Sequence, residues 1–140
     1  ARGSFAESIE TLRGVVFILD GHLETAKKLF QSLLERTEHS LSETFCQLYL
    51  LQIALLEGDN EKAEEYASIR SVKSFLSLKM ADMQMIQAWY QFKVKKDVAQ
   101  TRKAMKIARQ KMNSSRMLRD EQCYYENWLA ELEKALVEGV

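Results

Sequence analysis

The chain is 140 residues long, 46% hydrophobic and 29% charged, with 20 basic and 20 acidic side chains and no proline. This composition fits one soluble globular domain large enough to bury a core. No apolar run approaches the roughly 18 residues a membrane-spanning helix needs, which argues against membrane insertion, and the opening ARGSFAESIE carries no apolar signal core.

Strand signals are absent and helical spacing of apolar residues is present nearly throughout. Ser4 and Glu7 have capping-box spacing, which predicts a first helix from there to about Leu19, broken by Gly21. A second, from about Leu23, places Leu23, Ala26, Phe30, Leu33 and Leu34 on one stripe, with Lys27, Lys28 and Gln31 opposite. Ser40 and Glu43 form another box, opening a third helix to about Glu57 that is apolar on almost all sides and should be sandwiched between neighbours. Gly58 ends it, and Asp59 or Asn60 caps a fourth helix reaching Ile69 or Val72. A fifth runs from about Leu76 to Val94 through the run KMADMQMIQAWYQF. Asp97 caps a sixth, with Val98, Thr101, Met105, Ala108 and Met112 as its buried stripe. After a polar turn at Asn113–Ser115, a seventh carries Leu118, Tyr125, Trp128, Leu129, Leu132 and Leu136 on one face.

The chain also repeats itself. LDGHLETAKKLF, starting at Leu19, is echoed in LLEGDNEKAEEYA, starting at Leu55: Gly21 matches Gly58, Glu24 matches Glu61 and Ala26 matches Ala63, all 37 residues apart. A third, weaker copy lies 38 residues further on, with Val94 for Leu56, Lys96 for Gly58 and Thr101 for Ala63. A period in this range is the signature of stacked helical units that bury their cores against one another. The expected organisation is a single domain, 1–140, of three helical hairpins at 5–37, 41–72 and 76–112, with a capping helix at 116–138. A plain helical bundle is the simpler alternative.

Gly14, Phe17, Gly21, Ala26 and Phe30 stand at the small, aromatic, glycine, alanine and aromatic positions of the tetratricopeptide-repeat (TPR) motif. Ala54, Gly58, Ala63 and Ala67 follow it in the second repeat, and Met105 and Ala108 in the third. The chain resembles that family over residues 5–112. The resemblance implies an all-α, right-handed superhelix of TPR-like hairpins whose first helices line a concave groove. Carried over by position, that groove holds Thr11, Val15 and Ile18, then Phe45, Leu48, Gln52 and Leu55, then Met83, Ile86, Tyr90 and Lys93. An apolar strip of this kind suits a partner's amphipathic helix or peptide, or a second copy of the chain. The alternative is that these side chains simply form the core. The lysine–asparagine clamp that some members use for a terminal carboxylate is missing, since Thr11, Val15 and Tyr49 occupy its positions.

No catalytic or cofactor motif appears. His22 and His39 are the only histidines and share no metal-ligand spacing, and no phosphate-cradling glycine loop or nucleophile motif is present. The acids Glu57, Asp59, Glu61, Glu64 and Glu65 are those a helix N-terminus attracts. The expectation is a non-enzyme without cofactor or metal. Cys46 and Cys123 lie in apolar periodic segments, so both are expected as buried free thiols, as in the reducing cytoplasm.

Net charge is zero but unevenly spread: residues 1–65 carry −6, 66–119 carry +11 and 120–140 carry −5. On the sixth helix Arg102, Lys106 and Arg109 share a row, with Lys103 beside it. This basic face could bind an acidic partner or, less favoured without interleaved aromatics, nucleic acid. The competing expectation is a solvated face paired with Glu121, Glu126 or Glu131 of the last helix.

Overall fold

The computed structural model describes residues 2–114 and 119–139, with side chains from Phe5 onward. All regular structure among them is helical: α1 (Arg2–Leu19), α2 (Leu23–Arg36), α3 (Ser40–Glu57), α4 (Asn60–Ala67), α5 (Arg70–Leu76), α6 (Ala81–Tyr90), α7 (Val98–Ser114) and α8 (Arg119–Gly139), with a π-helical turn at Gln91–Lys95. These are eight α-helices where seven were expected. The extra one arises at Ser68, whose hydroxyl donates to the Glu64 carbonyl at 2.7 Å. Back-bonding of this kind competes with the helical ladder, and the expected fourth helix divides into α4 and α5. No described helix is long and apolar enough to cross a membrane.

Two compact units divide the chain, Ala1–Lys73 and Ser74–Val140. In the first, α3 packs against α1, α2 and α4, as an all-round apolar helix should. Its Leu48, Leu51, Ile53 and Cys46 are fully buried, together with Ala26, Phe30 and Leu33 of α2. In the second, α6 packs against α7 and α8. Trp89 stacks on Trp128 with ring centroids 5.4 Å apart, and Ala104, Met105, Ala108 and Met112 of α7 are buried. Gln84 donates to the carbonyls of Leu76 and Leu78 at 3.1 and 2.8 Å, which satisfies the turn that separates α5 from α6. The expected fifth helix therefore starts late, at Ala81, and ends early, in the π turn.

The sequence echo has a backbone cause. At the end of α1, Gly21 takes φ +82°, and the N–H groups of Gly21 and His22 return to the carbonyls of Ile18 and Phe17. At the end of α3, Gly58 takes φ +77°, and the N–H groups of Gly58 and Asp59 return to Leu55 and Ala54 in the same pattern. This is the Schellman termination, which calls for a left-handed residue. The third copy keeps the left-handed residue without the glycine, on a wider turn: Lys96 has φ +55°, the only positive φ among described non-glycine residues, and the N–H groups of Lys96 and Asp97 both return to the Gln91 carbonyl. Asp59 and Asp97 each follow a left-handed residue and cap the next helix, accepting from the N–H of Lys62 at 3.1 Å and of Gln100 at 3.0 Å.

Neither serine stands at an N-cap position: the backbone places Ser4 inside α1, and Ser40 begins α3 with His39 as its N-cap and no side-chain cap bond. The polar turn expected at Asn113 is still helix as far as Ser114. Ser115 and Leu118 fall outside the described residues. Cys46 is buried as expected, whereas Cys123 is exposed.

Candidate interaction surfaces

The residues expected to line an apolar groove are mostly interior. Ile18, Leu48, Gln52 and Leu55 in the first unit, and Met83, Ile86 and Tyr90 in the second, are all buried. Thr11, Val15 and Phe45 are half-buried. The Thr11 hydroxyl is turned back on its own helix, donating to the Glu7 carbonyl at 2.8 Å, and Phe45 lies parallel to Tyr49 at 6.3 Å. Lys93 is half-buried, with its ammonium 5.2 Å from the Trp89 ring. On each helix these side chains share a stripe by register, and within each unit that stripe is largely used for packing. One polar member sits poorly there: the Gln52 side-chain oxygen is buried with no hydrogen-bond partner among the described residues.

The open apolar surface of the first unit is on α1 instead. Phe5 is 70% exposed, Ile9 46%, Leu12 65% and Val16 51%. Their spacing of four, three and four residues puts all four on one side of the helix. The opposite side of α1 is committed to packing: Gly14 lies against the Phe30 ring and Ile18 is buried. At the end of α2, Thr37 donates to the Glu7 carboxylate at 2.6 Å and Arg36 pairs with Glu10. The Thr37 bond, the largest influence on that carboxyl, holds Glu7 below the usual carboxylate range. α1 is thus fastened by one face while presenting a second. Together the four side chains expose roughly 400 Å² of apolar surface, comparable to the largest patch on a typical monomer.

In the second unit Arg102, Lys103, Lys106 and Arg109 are exposed on α7. Arg109 pairs with Glu133 of α8, so among the described residues the row meets a different acid of that helix from the expected Glu121, Glu126 and Glu131. Glu126 accepts from Gln122 at 2.8 Å, and Glu121 has its carboxyl raised by burial and by Asp82. Beside the basic row lies an open groove of about 410 Å³, floored by Met105 and Leu136. A smaller groove of about 220 Å³ is lined by glutamine side chains, Gln84, Gln87, Gln91 and Gln100 among them.

Among the described residues, no three His, Cys, Asp or Glu side chains come close enough to hold a metal ion. Compared with known proteins, the chain matches no family model, no curated protein and no solved structure.

Proposed function

We propose that this chain is a non-catalytic protein-interaction scaffold of degenerate TPR-like hairpins, which assembles with a second copy of itself through the outer face of α1. The observation that carries this reading is the stripe Phe5, Ile9, Leu12 and Val16, open to solvent on a helix whose opposite side carries the buried Gly14 and Ile18. The hairpin reading is supported by the recurring left-handed turns at Gly21, Gly58 and Lys96 and by Gly14 seated under Phe30. The free thiols of Cys46 and Cys123 suit a reducing compartment such as the cytoplasm.

The stripe is also of a kind that accepts its own likeness. Its spacing is that of a and d positions in a heptad, with β-branched Ile9 and Val16 at a and Leu12 at d, the combination that favours two-stranded pairing. In a parallel pairing, exposed Arg13 faces Ser8 and exposed Asp20 faces Val15, so no like charges meet. Apolar atoms make up a little over half of a typical interface. A patch of roughly 400 Å² therefore corresponds to about 700 Å² per copy and about 1,400 Å² in all, within the standard size class. Sedimentation equilibrium over a concentration series tests this. A reversible dimer that Leu12→Glu abolishes without loss of helicity is expected. A wild-type monomer at every concentration, or a dimer indifferent to Leu12→Glu, rules it out, and a stripe covered by a different protein would leave the isolated chain monomeric.

A further inference from the structure

We infer that the groove between α7 and α8 is a second docking site, which takes an acidic amphipathic segment of a partner protein. Arg102, Lys106 and Arg109 stand on α7 in an i, i+4, i+7 row, all exposed, spanning about 10 Å along the helix. The row borders the groove of about 410 Å³ whose floor is Met105 and Leu136, each nearly buried. Val137, 86% exposed, forms an apolar lip on the same groove. The volume is within the range of clefts that hold ligands.

The charge balance selects the occupant. Among the described residues Glu133 is the only acid lining the groove, and it is paired with Arg109. Arg102 and Lys106 make no ion pair among the described residues. Two uncompensated cations above an apolar floor match a helix that alternates carboxylates with leucine-like side chains, the carboxylates meeting the row and the apolar groups entering the groove. Nucleic acid fits less well. A sugar–phosphate backbone gains nothing from Met105, Leu136 and Val137, the Glu133 carboxylate repels it, and among the described residues no aromatic lines the groove to stack a base.

Glu133 supplies a distinguishing signature. It occupies Arg109 in the free protein and so competes with an incoming carboxylate for the same guanidinium. Removing its charge should therefore tighten binding, whereas removing a charge from the row should weaken it.

The test uses the full chain and fluorescence anisotropy of a labelled peptide of about four helical turns, with leucine at three- and four-residue spacing and glutamate elsewhere. A companion peptide has lysine in place of glutamate, and a labelled RNA duplex is the third probe. Expected are binding of the acidic peptide alone, weakening of about tenfold or more for Arg102→Gln/Lys106→Gln and for Val137→Glu, and tightening for Glu133→Gln. Affinity should fall with added salt. Far-UV circular dichroism confirms that each variant is folded, and Leu12→Glu should leave affinity unchanged, which separates this site from the α1 face. Equal binding of the lysine peptide, preference for the duplex, absence of acidic-peptide binding, or indifference to the row and Glu133 variants each overturns the inference.

Discussion

Gly14→Ala sets two general effects against each other, and the structure decides between them. In an exposed helix interior, alanine is more stable than glycine by roughly 1 kcal/mol. Gly14, however, is buried in α1 under the ring of Phe30. A methyl group there would lie 2.7 and 2.8 Å from Cε2 and Cε1 of that ring, and closer still to Cζ. Carbon atoms pack best at about 3.5–4.0 Å, so the ring would have to retreat by about 1 Å. It has nowhere to go: Phe30 is fully buried and stacked on Tyr49 at 5.3 Å. Overpacking of this kind costs about 1–3 kcal/mol and occasionally more, which outweighs the gain in helix propensity. The expected net effect is a destabilisation of about 1–2 kcal/mol, read as a lower urea midpoint at unchanged slope. Phe30→Leu shortens the ring that obstructs the methyl, so the double variant should be less destabilised than the sum of the singles, by about 1 kcal/mol. A rise in stability for Gly14→Ala, or strict additivity with Phe30→Leu, would refute the reasoning.

The two thiols should separate cleanly. Burial, with Glu7 and Glu10 adding to it, pushes the Cys46 thiol up to about 12, and thiolate is the reactive form. One equivalent of an aromatic disulfide reagent should react quickly, at Cys123, and the second only on unfolding; two equal fast phases in the native protein would contradict this. Asp82 gives a pH prediction. Its carboxyl is raised by burial, with the Met83 N–H acting in the opposite direction, so the folded state holds this proton more tightly than the unfolded chain. Its unfavourable contribution is fully present above the folded pKa and disappears as pH falls below the ordinary value of about 4. Asp82→Asn should therefore stabilise the protein at pH 7 and have little effect near pH 3, as followed by thermal unfolding; a loss of stability at pH 7 would refute it.

Much of the secondary structure could be read from the residues, because glycine at the helix ends and three- and four-residue apolar spacing both have direct physical causes. The sandwiched position of α3 followed from its having almost no polar face. What could not be read depends on competition. Nothing about a serine announces that Ser68 will bond back to Glu64 and divide a helix. Nothing about a lysine announces that Lys96 will be left-handed, although its alignment with Gly58 was a signal. The burial of most of the expected groove residues could not be read for a related reason. Periodicity identifies apolar stripes but not which of two stripes packs, and positions carried over from a family give register without exposure. On α1 the buried side runs through Gly14 and Ile18, and the open one through Phe5, Ile9, Leu12 and Val16. The basic row on α7 was legible from its spacing, while its pairing with Glu133 rather than its neighbours required coordinates.

Whether the outer stripe of α1 is a contact surface is decided most directly by footprinting it in solution. In a Cys123→Ser background, Ile9→Cys places one accessible thiol in the stripe, Lys28→Cys places one on the exposed side of α2 as a control, and Cys46 stays buried. Maleimide labelling at position 9 is expected to slow as protein concentration rises through the dimerisation range, to recover when Leu12→Glu is added, and to remain constant at position 28. Labelling at position 9 that is as fast as the control at every concentration would contradict self-assembly through α1.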